Sequence, residues 1–307
     1  MESILEIVKP LDGQSFRLLR WDNNHRDVYV VAGPEEDRKI KGEGDHWHYH
    51  PALELTLFTR GEGTRFIGDQ IETFSPGDLV LLGENLPHYW HALGRSAGLS
   101  VQWHFPASHP IWMIPEMLQL QSVFRDAERG IQYGGASAQR IGALLHQLEG
   151  TREIDRFSTF MQILATLATT ASATKRFISS QLFSLKSKSR HLTAIQAAIR
   201  FIVINFHEAI NQAQLLNITH MSRPTFSRQF KKHAGKTLTQ FVQQVRLAAV
   251  LRELSSTDEP IIEICYKCGF SEVSSFNRLF RREFGFSPSL YRSRAHSQQA
   301  GIGSAGR

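Results

Sequence analysis

At 307 residues, with 41% apolar and 10% aromatic residues, the chain is long enough for two domains and can bury proper cores, which excludes wholesale disorder. The net charge of +6 is unevenly spread: residues 190–296 hold 15 Lys and Arg against 7 Asp and Glu, while residues 1–189 hold 19 against 22. Basicity concentrated in the last third suits a surface that neutralises phosphates, whereas anionic membrane binding calls for an appended polybasic tail.

In chain order, Met1 to Glu6 show neither the positive start nor the apolar stretch of a secretory leader. No run approaches the roughly eighteen apolar residues that span a bilayer. A cytoplasmic protein without a membrane partner is therefore expected. From Phe16 to about Phe105 the sequence reads as short strands, Val28–Val31, Glu54–Phe58, Gly63–Ile67, Ile71–Phe74, Asp78–Leu82 and Leu99–Trp103, divided by Gly, Pro, Asn and Asp. Such even spacing predicts an antiparallel barrel or jelly roll over residues 1–114.

Within that stretch lies Gly42-x5-His48-x-His50-x3-Glu54-x6-Gly61. On one strand, side chains alternate, so His48 and His50 share a face and Glu54, an even number further on, joins them. Leu86-Pro87-His88 brings a fourth candidate ligand. Three imidazoles and a carboxylate suit a divalent first-row metal such as Mn, Fe, Ni or Zn. Without a metal, the same groups can hydrogen-bond a polar effector. Trp47, Tyr49, Trp90 and His91 flank the set, and either stack on a small molecule or pack the barrel.

From Ile114 the period becomes helical, with helices expected over Pro115–Glu128, Ala136–Glu149 and Glu153–Thr170. Leu118, Val123, Ile141, Leu144, Leu145, Leu148, Phe160, Ile163, Leu164 and Leu167 recur at three and four. Each helix of this segment, 115–174, therefore buries one face. Residues 175–192, rich in Ser and Lys, read as a linker, and 295–307 as a disordered tail. Cys265 and Cys268, three apart on one helix, read as small core residues, because a disulfide there opposes helix geometry and zinc needs two further ligands.

The last third carries an internal repeat. Phe226-Ser-Arg-Gln-Phe230-Lys-Lys-His-Ala-Gly235 returns fifty positions on as Phe276-Asn-Arg-Leu-Phe280-Arg-Arg-Glu-Phe-Gly285. Phenylalanines at i and i+4 mark a buried face, leaving the basic residues outside. A short helix precedes each copy, Gln212–Asn217 and Pro260–Cys268, and a helix-turn-helix places its second helix in the DNA major groove. Pro260 is expected as a first helical residue, and Gly235 and Gly285 as helix stops. Thr193–Phe206 opens the unit, and Gln240–Leu254, with Phe241, Val245, Ala248 and Leu251 on one face, is the strut between its halves.

Residues 193–294 resemble the tandem helix-turn-helix domain of AraC/XylS transcription regulators. The likeness rests on Met221-Ser222-x3-Phe226-Ser227-Arg228-x-Phe230-Lys231, on Ile264-Cys265-x2-Cys268-Gly269-Phe270-Ser271, and on Ser275-Phe276-x-Arg278-x-Phe280, Gly285 and Ser287-Pro288-x2-Tyr291-Arg292. The first copy departs where Leu216 and Asn217 replace small residues and Thr219-His220 replaces a glycine turn. The histidine segment resembles the first cupin motif, with His88 at the second motif's histidine and Gly83 and Asn85 in place of its usual proline and glycine.

The resemblance implies an α+β, two-domain regulator, with an N-terminal antiparallel cupin-like barrel plus helices and a C-terminal all-α tandem helix-turn-helix domain. It implies DNA contacts by Arg223, Thr225, Ser227 and Arg228 in one groove and Val273, Ser274, Asn277 and Arg278 in the next, with Lys231, Lys232, Arg281 and Arg282 on the backbone. It further implies promoter DNA, RNA polymerase and a second copy of the chain as partners, and activation in response to a small-molecule effector, a sugar or other carbon source, near Trp47, His48, His50, Glu54, His88 and Trp90. Two alternatives remain at this point: a metal-dependent cupin enzyme fused to a DNA-binding domain, and a ligand-independent DNA binder.

Overall fold

The structure, a computed structural model, describes residues 8–24, 27–41, 46–183 and 191–304; the first six residues, Gly42 and most of the expected linker's Lys-Ser stretch lie outside them. The chain divides into two compact units, Met1–Gln196 with Lys232–Gly235, and Ala197–Lys231 with Lys236–Arg307.

The first unit contains strands β1 (Phe16–Trp21), β2 (Asp27–Gly33), β3 (Glu36–Lys41), β4 (Leu53–Arg60), β5 (Gly63–Ile67), β6 (Gln70–Phe74), β7 (Leu79–Leu82), β8 (His88–Ala92), β9 (Ala97–Trp103), β10 (Ile131–Tyr133) and β11 (Lys175–Phe177). Helices α1 (Leu120–Ala127), α2 (Gly135–Glu149) and α3 (Glu153–Thr169) complete it. Eight strands form one sheet in the order β11-β10-β7-β4-β9-β1-β2-β3, and β6-β5-β8 form a second. All the pairings are antiparallel.

Strand parity divides the large sheet into two apolar faces. Leu18, Leu55, Leu57, Leu79, Leu81, Leu99 and Val101 lie in a core shared with Ile141, Leu145, Phe160 and Leu164 of the helices. Their strand neighbours Leu19, Phe58, Val80 and Leu82 lie in a second core with Ile67, Phe74, Leu86 and Trp90 from the small sheet and its loops. A sheet covered on both faces is built from near-continuous apolar runs such as Leu79-Val80-Leu81-Leu82, so these strands carry little alternation for a reader of the sequence to find.

The helices after the barrel thus bury their apolar stripe against their own sheet, Leu118 excepted, which is exposed. The expected helix from Pro115 begins as a 3-10 turn, Pro115–Gln119, before α1. Part of the expected linker is barrel: Arg176 on β11 donates to Glu72 Oε1 and Oε2 at 2.8 and 2.6 Å, and Arg65 donates to Glu72 Oε2 at 2.8 Å and Asp78 Oδ1 at 2.6 Å. Ion pairs with partners a hundred residues away hold a segment whose composition alone reads as flexible.

The helices that follow are α4 (Leu192–Asn205), α5 (Gln212–Thr219), α6 (Arg223–Ala234), α7 (Leu238–Ser256), α8 (Ile261–Lys267), α9 (Val273–Phe284) and α10 (Pro288–Ser304). Because α10 continues to Ser304, the expected disordered tail from residue 295 is helical through that residue.

Phe160 is fully buried and stacks on Phe16 with ring centroids 4.2 Å apart. Phe160→Ala should lower stability by about 3–5 kcal/mol, to be checked by urea denaturation of the intact chain. A loss below about 1 kcal/mol would show that the helix layer contributes little to the core.

Candidate DNA-binding surface and buried histidine centre

Both repeat copies fold as helix, turn and basic-faced helix. Phe226 and Phe230 of α6 and Phe276 and Phe280 of α9 are fully buried, with ring centroids 5.4 and 5.8 Å apart within each pair. In the second copy Phe276 and Phe280 pack with Cys265 and Cys268 of the preceding helix segment, and both thiols are free. Burial pushes the Cys268 thiol up to about 12, so it stays protonated and serves as an apolar filler.

The turns show why the first copy departs from its usual pattern. His220 ends α5 in the left-handed region at φ 51°, the conformation for which Gly269, at φ 85°, is used after α8. Pro260 stands one residue before α8, as its N-cap, and α8 starts at Ile261. The strut α7 opens with a capping box, in which Thr237 and Gln240 each satisfy the other's main-chain N–H.

Arg223, Ser227, Arg228, Lys231 and Lys232 on α6 are exposed and Thr225 is partly so; on α9 Ser274, Arg278, Arg281 and Arg282 are exposed, with Val273 and Asn277 half-buried. Two features qualify the expected contacts. Arg282 is paired with Glu283 Oε1 at 2.8 Å. Glu272, the N-cap of α9 and absent from the sequence reading, accepts from the Ser274 and Ser275 hydroxyls at 2.5 and 2.6 Å, and Arg278 Nη2 donates to Ser275 Oγ at 3.2 Å. Those hydroxyl bonds, led by Ser274, hold the Glu272 carboxyl below its usual range. Its signal in the sequence is an acidic residue just ahead of a basic helix, where the helix dipole favours negative charge.

The second cluster lies inside the β unit. His48, His50 and His88 are almost wholly buried, and their available ring nitrogens lie within 4.8 Å of one another. The route to this convergence differs from the expected single strand. His48 pairs with His88 as an isolated antiparallel bridge, its N–H donating to His88 O at 3.0 Å and its carbonyl oxygen accepting from the His88 N–H at 2.9 Å; the chain then bends at Pro51 and Ala52 before β4 begins at Leu53. Parity does act within β4, whose Glu54 and Thr56 point away from the helices.

The departures from the cupin pattern are also explained. Gly83 donates its N–H to Ala127 O at 2.7 Å, which proline cannot do, and a Cβ there would lie 2.4 Å from the Glu128 nitrogen. Asn85 takes φ 58°, the conformation of the glycine it replaces.

Each imidazole places its Nδ1 against a main-chain carbonyl: His48 to His46 O at 2.8 Å, His50 to Ala52 O at 2.9 Å and His88 to Leu86 O at 2.8 Å. Carbonyl oxygens only accept, so each Nδ1 carries a proton. Backbone anchoring of this kind fixes the tautomer of metal-ligating histidines. His88 Nε2 is buried with no hydrogen-bond partner. Burial first, then the neighbouring His48, lowers the His88 ring well below its usual range, so it is neutral at pH 7.

Glu54 borders this set rather than completing it. Its Oε2 lies 3.0 Å from His50 Nε2 and 3.8 Å from His88 Nε2 and accepts from Gln102 Nε2 at 2.7 Å, while Oε1 accepts from Thr56 Oγ1 at 2.6 Å. Burial alone would raise its carboxyl, but the bond with His50 holds it well below the carboxylate range. Arg17 Nε donates in turn to Gln102 Oε1 at 2.9 Å, a supporting contact the sequence did not disclose. Trp47, Tyr49 and Trp90 are buried, so they serve as barrel packing; Trp90 lies edge-on to His88 at 5.3 Å.

Two basic-faced helices, each anchored by a buried phenylalanine pair and preceded by a short helix and tight turn, define a tandem helix-turn-helix DNA-binding protein. A family profile described as a helix-turn-helix domain matches residues 215–294. The chain is 25% identical over 250 residues to the HTH-type transcriptional activator RhaS of Enterobacter sp. (strain 638), covering 78% of this chain and 85% of that protein. It is 23% identical over 291 residues to RhaS of Pectobacterium atrosepticum, covering 92% and 99%. A solved probable AraC family transcriptional regulator from Rhodopseudomonas palustris CGA009 is 27% identical, with 34% of this chain and 97% of that one covered at a TM-score of 0.32. In its helix-turn-helix domain the chain is thus similar to AraC-type transcription regulators. Among the described residues no helix is long and apolar enough to cross a membrane.

Arg278→Ala should cost about 1–3 kcal/mol of discrimination at one or two base pairs; uniform weakening across sequences in a binding-site selection would make Arg278 a phosphate contact. Lys232→Ala should reduce the slope of log affinity against log salt by about one, and Arg282→Ala by less, because Glu283 already neutralises part of that charge. Fluorescence anisotropy across a salt series reads both, and an unchanged Lys232→Ala slope would remove Lys232 from the interface.

Proposed function

We propose that this protein is a cytoplasmic transcription activator that binds promoter DNA through α6 and α9 and receives its signal at the histidine centre of the β unit. The observation that carries the second half is the set of three buried imidazoles, each pinned at Nδ1 by a main-chain carbonyl, with ring nitrogens within 4.8 Å of one another. His88 Nε2, buried there with no hydrogen-bond partner, is costly to leave so.

His48, His50 and His88 would hold a divalent first-row ion, Mn, Fe, Ni or Zn, with Glu54 at its edge. Such an ion supplies a Lewis acid that binds the hydroxyl or carboxylate oxygens of a small effector, a sugar or other carbon source. Thr56 and Gln102 fix the Glu54 carboxylate, and Arg17 fixes Gln102. RNA polymerase is the partner expected of an activator, and a homodimer the expected assembly.

Elemental analysis of protein purified without chelator should find about one ion per chain, and His50→Ala together with His88→Ala should reduce that at least about tenfold while leaving DNA binding by the second unit intact. Absence of metal in the unaltered protein would sink the ion. Promoter output indifferent to metabolite and metal alike would favour a ligand-independent DNA binder.

A further inference from the structure

We infer that the segment Ile178–Phe183 is a strap whose seating on the barrel reports whether the histidine centre is occupied; this rests on reading that centre as a ligand site. The strap follows β11 directly. Its main chain is tied to the α1–β10 connection, with Ile178 N donating to Gly130 O at 2.9 Å, Ser179 N to Arg129 O at 2.7 Å and Arg129 Nε to Ser179 O at 2.9 Å. Its side chains are held by Asp69, in the tight turn between β5 and β6. The Asp69 carboxylate accepts from Ser179 Oγ at 2.9 Å and from Ser180 N at 2.8 Å, and also takes the Ser180 hydroxyl. The fit is close, since a Cβ on Gly68 would stand 2.5 Å from Ser179 Oγ.

The same turn is bonded to the loop that carries the third histidine. Gly68 N donates to Pro87 O at 2.8 Å. On one side of Pro87, Leu86 O receives the His88 Nδ1 proton; on the other, His88 makes its bridge to His48. An apolar connection runs alongside this polar one. Ile178, 4% exposed, is buried in the core that contains Ile67, Leu86 and Trp90, with Phe183 packed on its edge.

Occupancy at the histidines therefore has a short mechanical route outward. A cation drawing three Nε2 atoms together fixes the Leu86–His88 loop, the loop fixes the Gly68–Asp69 turn through the Pro87 carbonyl, and the turn seats the strap. With the cation absent, that restraint on the loop is missing. The strap is also where the barrel hands the chain on, since only residues 184–191 separate Phe183 from α4. A two-state element of this kind, biased by a ligand, is what transmission between sites requires.

The test is hydrogen exchange on the full-length protein, with zinc alone as the probe, and elemental analysis of the same samples. Zinc should slow exchange of the hydrogen-bonded Ile178, Ser179 and Ser180 amides by about tenfold or more, and Asp69→Asn should remove that slowing while about one zinc per chain is retained. Zinc bound with unchanged strap exchange would overturn the inference and leave the centre standing. Zinc not bound at all would overturn the centre and the inference together, and a zinc effect that survives Asp69→Asn would overturn the role given to the Asp69 clasp.

Discussion

The β unit depends on the fact that the middle of its large sheet, at β4, β7 and β9, has no solvent face. Helices α1–α3 cover one side and the small sheet covers the other, so neighbouring residues of β4 and β7 are committed to two different cores. Any polar side chain on the inner face must then find its partners inside. Glu54, Thr56, Ser100 and Gln102 do so through one another and through Arg17 and the histidines. A buried carboxylate left unpaired costs several kcal/mol, which makes such a network all-or-none. The histidine centre is therefore part of the barrel's interior.

In the DNA-binding half the fixed quantity is a separation. Adjacent major grooves on one face of DNA lie roughly 34 Å apart, and two recognition helices can use them only if the element between them is stiff. Nineteen residues of α7, capped at Thr237 and buried along Phe241, Val245 and Ala248, supply that stiffness. Basic residues alone do not make such a surface; the phenylalanine pairs beneath them hold each helix in one rotation.

Much of this is legible in the sequence because it is local. The fifty-residue repeat, the i, i+4 phenylalanines and the Gly285 stop each act within a helix, and Gly63–Ile67 forms the strand expected. What was not legible depends on distant partners. Nothing near Arg176 signals Glu72, and nothing near Arg17 signals Gln102. The histidine cluster is instructive: the residues converge, but through a bridge between His48 and His88 and a bend at Pro51, not through alternation along one strand. The three-residue strands β10 and β11 are too short for any periodicity to appear.

The edge strand β3 carries one more consequence. Its sequence, Glu36-Asp37-Arg38-Lys39-Ile40-Lys41, is charged at five of six positions, and Asp37 and Lys39 are already engaged with Arg20 and Asp27. Docking another strand there would strip water from those charges and crowd like signs together, a common way for β proteins to blunt an open edge. Two copies of this chain are thereby kept from joining β3 to β3 into a continuous sheet, and assembly is steered to surfaces whose main-chain hydrogen bonds are already closed.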